Sequence, residues 1–475
     1  MKPIIEEIYN LPEPLELFDR IGGQPYSFFL DSACGHEKLG KYSFLGYDPF
    51  LVFTSKGDTV TLEWRGGKHE HITADPLTTL KNIYQKYAVL ETLEGVPLAS
   101  GAVGYFSYDL KDFIETLPDL APDDMGLPDI ALGFYDRIVI YDHASGTYRI
   151  ASSGLPEMCE RKNRARAKAR LEECKNTLLS THGRNKKPAM AHPTEVRSNF
   201  SKPDYMAAVL KAKEYIRIGD IYQVNLSQRF EAPLTIEPME LYARLRKASP
   251  APFASYLNFK DAIVLSSSPE RFILKRGDYI ETRPIKGTRP RGQTRLSDLR
   301  LEKELLNSAK DRAEHIMIVD LERNDLGRVS RYGSVALTEP VILEKYATVF
   351  HLVSTVAGRL RNGVDPIDCL LATFPGGSIT GAPKIRSMEI IEELEPVKRS
   401  LYTGAIGYLG FDGNMDTSIV IRTFVVKDKK VYFQVGGGIV ADSDPEKEYD
   451  ETLHKAKGLL EALGAEVRKK EAVLV

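Results

Sequence analysis

Residues 204–233, DYMAAVLKAKEYIRIGDIYQVNLSQRFEAP, change period in the middle. Up to Gly219 the apolar residues recur at helical spacing, and Gly219 supplies the stop. After it, IYQVNLSQRFEAP alternates as a strand does. Outward from this point strands and helices stay mixed, with no regular βαβα beat. Helical patterns fall near 297–315, 367–372, 384–394 and 444–463, among strands and glycine turns. That pattern predicts an α+β fold rather than a doubly wound sheet.

Upstream, residues 181–203 lose periodicity and gain Pro, Ser and basic residues, as a linker does. They separate an N-terminal region, 1–180, from a second region, 204–475. In the first, DTVTLEWRGGKHEHIT (58–73) reads as two strands joined at Gly66-Gly67. GAVGYFSYDL and FYDRIVIYDHASGTYRIAS read as further strands, and 156–180 as a charged helix. His69 and His71 share a strand face, but no Cys or further His is near, so an exposed hairpin end is expected there.

The 475 residues suggest about three domains or two large ones. A 43% apolar and 27% charged composition is that of a globular protein. The net charge of -2 gives no pull toward nucleic acid or an anionic membrane. No apolar run is long enough to span a bilayer, and the acidic start does not read as a signal peptide. Four scattered cysteines argue against structural zinc or a disulfide framework and suit a reducing cytoplasm.

Several segments could carry chemistry. In 443–464, Ser443 or Asp444 caps a helix that Gly464 ends, with Tyr449, Leu453, Ala456, Leu460 and Leu463 on its buried stripe. Glu448, Glu451 and Lys455 form a second stripe, read either as a solvated face or as two carboxylates for Mg2+. Glu314 and His315 stand where a charged helix runs into the apolar IMIVDL. FPGGSITGAPK (374–384) is no Walker A loop, yet its backbone N–H groups suit an anion. Three glycines at 436–438 let backbone approach a ligand. Arg422 interrupts a β-type run and needs an anion, from a structural carboxylate or a substrate. Lys286, in ETRPIKGTRPRG (281–292), sits among cations that include Arg283 and Arg289, read either as a solvated basic loop or as a lysine whose protonated form they disfavour.

Nine blocks in continuous order resemble the chorismate-utilising enzymes. They are GDIYQVNLSQRF, SSSPERF, TRPIKGTRPRG, DRAEHIMIVDLERNDLGRV, HLVSTVAGRL, FPGGSITGAPK, GYLGFDG, IRTF and GGGIVADSDPEKEYDET, across about 205–463. The resemblance implies an α+β sandwich of two large antiparallel sheets with helices outside, both sequence halves supplying strands. It implies that Glu270 is a general acid/base and that Glu314 and Glu451, with Glu448, hold Mg2+. Tyr402, Arg422, Gly436 and Lys455 map onto carboxylate-binding positions, and Gly437, Ser378 and His351 onto the same pocket. LDSA (30–33), YSF (42–44) and APFASYL (251–257) resemble the family's tryptophan pocket, with Ser32, Tyr42 and Pro252 on it.

Within that family, water-adding members carry a lysine where this chain has Gln223, which cannot act as their base. Anthranilate synthases usually read PIAGT where this chain reads PIKGT, as aminodeoxychorismate synthase component I does. The resemblance therefore implies amination of chorismate at C4 through a Lys286 adduct, in 4-aminobenzoate and folate synthesis. The alternative is anthranilate synthase component I; a more distant one is a non-catalytic aromatic-acid binder. No Gly-x-Cys-x-Gly nucleophile is present, so a separate glutamine amidotransferase would supply ammonia.

Overall fold

Strand after strand in this chain is buried on both faces. Gly101–Phe106 and Ile130–Tyr135 show no exposed residue at all. The cause is a four-layer arrangement in the computed structural model, which describes residues 1–32, 39–180, 195–346 and 349–465. Two antiparallel sheets of twelve strands each lie between outer helices. One apolar cluster joins residues of both sheets, among them Phe44, Ile140 and Val264 from one and Tyr105, Ala131 and Tyr408 from the other. A second packs the first sheet under the helices Pro14–Ile21, Glu160–Ser180, Pro238–Ala248 and Pro445–Leu463. A third packs the other sheet under Pro76–Tyr87, Ala309–Gly327 and Pro366–Thr373. A sheet covered on both sides must be apolar on both sides. The expected α+β sandwich is therefore observed.

Both sequence regions supply strands to both sheets. In the first sheet, Thr423–Lys427 and Lys430–Ile439 bridge Ile263–Ser268 to Gln223–Pro233. In the second, Ala405–Gly410 and Met415–Ile419 bridge Gly101–Phe106 to Arg271–Arg276. The linker expected at 181–203 falls in part outside the described residues. In its described part, Arg197–Ser198 pairs with Phe230 and Glu231, and a helix starts at Lys202.

Local expectations can be compared directly. The 58–73 hairpin forms as Thr59–Trp64 with His69–Thr73, and exposed His71 shares a hydrogen bond with Thr61 at 3.0 Å. Cys159, Cys174 and Cys369 are free thiols. No helix among the described residues is long and apolar enough to cross a membrane. One reading fails: IMIVDL does not leave the helix, which runs unbroken over Ala309–Gly327. His315, Ile318, Val319, Glu322 and Leu326 are all buried there, so an apolar run marks a helix covered on more than one side.

Phe433 lies in the bridging strand, stacked on Phe230 at 5.0 Å and edge-on to Phe424 at 5.6 Å. Phe433→Ala is expected to cost about 3–5 kcal/mol of stability, read from urea denaturation. A loss below about 1 kcal/mol would contradict this account of the core.

Candidate functional site

Strand Lys430–Ile439 forms the floor. It pairs with Gln223–Pro233 so that Gly436 faces Ser227, Gly437 faces Leu226 and Gly438 faces Asn225. A Cβ on Gly436 would meet the Leu226 carbonyl at 2.5 Å, and one on Gly438 the Gln223 Nε2 at 2.5 Å. The open side of Gly437 looks toward Glu448 Oε2, Glu451 Oε1 and Lys455 Nζ, between 3.3 and 3.8 Å from a Cβ placed there. These three come from the helix Pro445–Leu463. Asp444 caps it by accepting from the Lys447 N–H at 3.0 Å, and Gly464 closes it in a left-handed conformation at φ 72°. Lys455 donates to the Gly436 carbonyl and pairs with Glu451, both at 2.8 Å.

Lys286 lies on Ile285–Pro290, opposite Leu352 of Val349–Arg359. Burial lowers its pKa, and Lys455 adds to the effect, against Glu314, Glu270 and Glu451. The expected cations were others. Arg283 pairs with Glu339 and Glu344, and Arg289 with Glu304 and Asp311, so both arginines are neutralised by their own partners. Glu270, 5% exposed, accepts from the Ile285 N–H at 3.3 Å. Burial raises its pKa, while the Ser378 hydroxyl, Lys286 and Arg422 hold the rise back.

Arg422 sits between two strands at φ 51°. No carboxylate among the described residues lies within ion-pair distance, and burial lowers its pKa, with Glu270 working against that. The structural-carboxylate reading of Arg422 therefore fails, and the guanidinium is left for another anion. His351 shares a hydrogen bond with Thr288 at 2.9 Å, its Nε2 has no partner, and burial then Arg422 push its pKa down to about 3. Tyr402 carries the Arg399 guanidinium over its ring at 5.6 Å, and burial raises its pKa. Gln223 is fully buried with both amide atoms unpartnered.

The carboxylates were tested as Mg2+ ligands. Burial raises Glu314 and Glu448, and Glu451 adds to both shifts; Glu451 itself is lowered, chiefly by Lys455. Glu314 and Glu448 thus each feel the charge of Glu451. No group of three or more His, Cys, Asp or Glu among the described residues closes into a metal cage. This donor set fits a hard cation that takes one or two carboxylates and fills its shell with water or substrate oxygens.

The glycine loop departs from expectation. Gly377 N–H is already given to Glu322 at 3.1 Å, and Lys384 is tied to Asp325. Sequence reasoning also missed the groups that hold this loop. Asn225 Nδ2 donates to the Ser378 carbonyl at 2.9 Å, and Arg399, paired with Glu395, donates to the Ile379 carbonyl at 3.1 Å. Asn225 and Glu322 stand inside the motif blocks, so only the polarity of a part-buried amide and a buried carboxyl could have flagged them. Away from this site, Ser32, Tyr42 and Pro252 line one cleft, with Leu30, Phe44 and Ser255. Ser32 Oγ donates to the Tyr42 carbonyl there at 2.8 Å.

Comparison with known proteins agrees with this picture. The model of the family described as chorismate binding enzyme matches residues 31–461. Anthranilate synthase component 1 of Acetivibrio thermocellus is 41% identical over 474 residues, covering 97% of this chain and 95% of its own. The Aquifex aeolicus enzyme of the same name is 42% identical, covering 96% and 93%. The crystal structure of anthranilate synthase component I from Streptococcus pneumoniae TIGR4 superposes with a TM-score of 0.78 at 33% identity, over 89% of this chain and 92% of that one. The menaquinone-specific isochorismate synthase of Escherichia coli shares the fold at 19% identity, with a TM-score of 0.71 over 97% and 95%. The names of these close relatives agree with the anthranilate synthase alternative rather than with aminodeoxychorismate synthase. On its sequence and its fold, the chain belongs to the chorismate binding enzyme family.

Proposed function

We propose that this chain is component I of a two-component synthase that aminates chorismate, with ammonia supplied by a glutamine amidotransferase subunit. A dicarboxylate substrate suits a pocket with an unpaired arginine, two lysines, backbone donors and a set of acids that fits Mg2+. Glu314 and Glu451, with Glu448, would hold that ion, which supplies positive charge for a substrate carboxylate. Arg422, Tyr402, Gly436 and Lys455 would bind carboxylate, with Gly437, Ser378 and His351 on the same wall.

The observation that carries the finer reading is Lys286, an amine that interacts electrostatically with Glu270 in a setting that favours its neutral form. In this reading its Nζ attacks C2 of chorismate. The ring double bond shifts, and the C4 hydroxyl leaves as water with a proton from Glu270. Ammonia then attacks C4, the double bond shifts back, and the lysine leaves C2 as the free amine. The product is 4-amino-4-deoxychorismate, and one difficult displacement has become two easier ones. This supports an aminodeoxychorismate synthase, serving 4-aminobenzoate synthesis.

A second reading is favoured by the relatives' names: anthranilate synthase component I, with amination at C2 and loss of pyruvate. The cleft at Ser32, Tyr42 and Pro252 would then bind tryptophan as an inhibitor.

Product analysis separates the two. The chain is incubated with chorismate, Mg2+ and an ammonium salt, and products are resolved by chromatography and mass. Aminodeoxychorismate without pyruvate is expected, with Lys286→Ala at least about a hundredfold slower. Anthranilate with pyruvate, inhibited by tryptophan, would overturn the first reading in favour of the second.

The pH profile is a further check. Lys286 must be neutral and Glu270 protonated, so kcat/KM should rise as pH passes the lowered lysine pKa and fall as it passes the raised glutamate pKa. Lys286→Ala should remove the rising limb. Glu314→Gln and Glu451→Gln should each raise the Mg2+ needed for half-maximal rate by roughly tenfold or more, in a titration of rate against Mg2+.

A further inference from the structure

Glu322 is a costly residue to bury. It is 2% exposed, and its Oε2 has no hydrogen-bond partner. Burial, then Asp325 and Glu270, raise its pKa, against Lys384 and the Gly377 N–H. An uncompensated buried carboxyl is destabilising, so a structural acceptor alone does not call for one. Its one hydrogen bond is informative. Oε1 accepts from the Gly377 N–H at 3.1 Å, at the start of the turn Gly377–Ile379. The next residue is Ser378, whose hydroxyl holds back the rise in the Glu270 pKa.

Three side chains, two of them buried, thus hold backbone groups of three successive residues. Glu322 takes the Gly377 N–H, Asn225 the Ser378 carbonyl and Arg399 the Ile379 carbonyl. The last two approach from the first sheet's side, from Gln223–Pro233 and from beyond the helix Lys384–Leu394. Glu322 alone comes from Ala309–Gly327, the helix that also carries Glu314. Eight residues separate them, or about 12 Å along the axis. A rigid helix therefore joins the acid that would hold the cation to the loop that presents Ser378 to Glu270. The close fit is visible at Gly377, where a Cβ would lie 2.6 Å from Leu321 Cδ2 and 3.2 Å from Glu322 Oε1.

We propose that Glu322 is a positioning residue: its bond to Gly377 sets Ser378 against Glu270 and fixes the spacing between the proton donor and the Glu314 end of the site. This rests on the reading of Glu270 as the acid. The role needs an acceptor at Oε1, not a charge.

The test combines Glu322→Met, which keeps bulk but removes the acceptor, with Glu322→Gln, which keeps the acceptor, and with Ser378→Ala. Glu322→Met is expected to lower kcat about ten- to a hundredfold, with KM for chorismate changed less than about threefold. Glu322→Gln should recover most of that loss. The double variant Glu322→Met/Ser378→Ala should be no slower than Ser378→Ala alone within about twofold, because both remove the same contact. Hydrogen exchange in a peptide covering 374–383 should quicken in Glu322→Met and not in Glu322→Gln, with thermal melts confirming folded protein. An unchanged kcat in Glu322→Met, equal losses in the Met and Gln variants, or fully multiplicative losses in the double variant would overturn the proposal. The exchange measurement needs no turnover, so a wrong reading of the reaction would leave that arm intact.

Discussion

Ten consecutive residue pairs between Gln223–Pro233 and Lys430–Ile439 constrain everything else in the site. The register sets which glycine stands over which partner, and a slip of one residue would turn every side chain to the opposite face. Side chains are excluded along 436–438 by contacts of about 2.5 Å to Leu226 and Gln223 at two of the three positions. A bare stretch of backbone is thereby opened beneath the last helix, and Glu448, Glu451 and Lys455 descend onto it. The ladder also holds Asn225, which braces the glycine loop, while Gln223 just beyond it pairs with Ala382.

Water exclusion is the second common cause. The same burial disfavours charge on Lys286, on Glu270, on Glu314 and on Arg422, whatever the sign of each. Opposite charges in the pocket offset it only partly. The arginines nearest in sequence to Lys286 take no part, since each has its own carboxylates. The pocket is therefore a place where ions are expensive and a second ion of opposite sign is welcome, which is what a dianionic ligand and a divalent cation bring together.

Much of this was legible where the signal was local. Asp444, Pro445 and Gly464 fixed the last helix, and the spacing of Glu448, Glu451 and Lys455 put them on one stripe. The motif blocks assigned the two-sheet arrangement by resemblance; strand periodicity alone did not, because strands covered on both faces lose their alternation. Long-range pairing was not legible. Arg283 and Arg289 looked like free cations because their partners lie between 15 and 61 residues away. Arg422 showed its need for an anion in the sequence, but only the fold shows that no carboxylate of the described chain meets it. The helix was expected to end near 315 because the largely apolar IMIVDL run inside a helix looks like a separate core segment.

The placement of the two bridging hairpins has a consequence for synthesis on the ribosome. In each sheet the strands made late, from Ala405 to Ile439, lie in the middle, not at an edge. Until they emerge, each sheet is two half-sheets with open inner edges, which are templates for wrong partners. The nascent chain must therefore hold hundreds of residues with four unpaired strand edges before its centre is delivered. Translation speed and chaperone access over that interval, more than the stability of the finished fold, would govern how much of the chain reaches it.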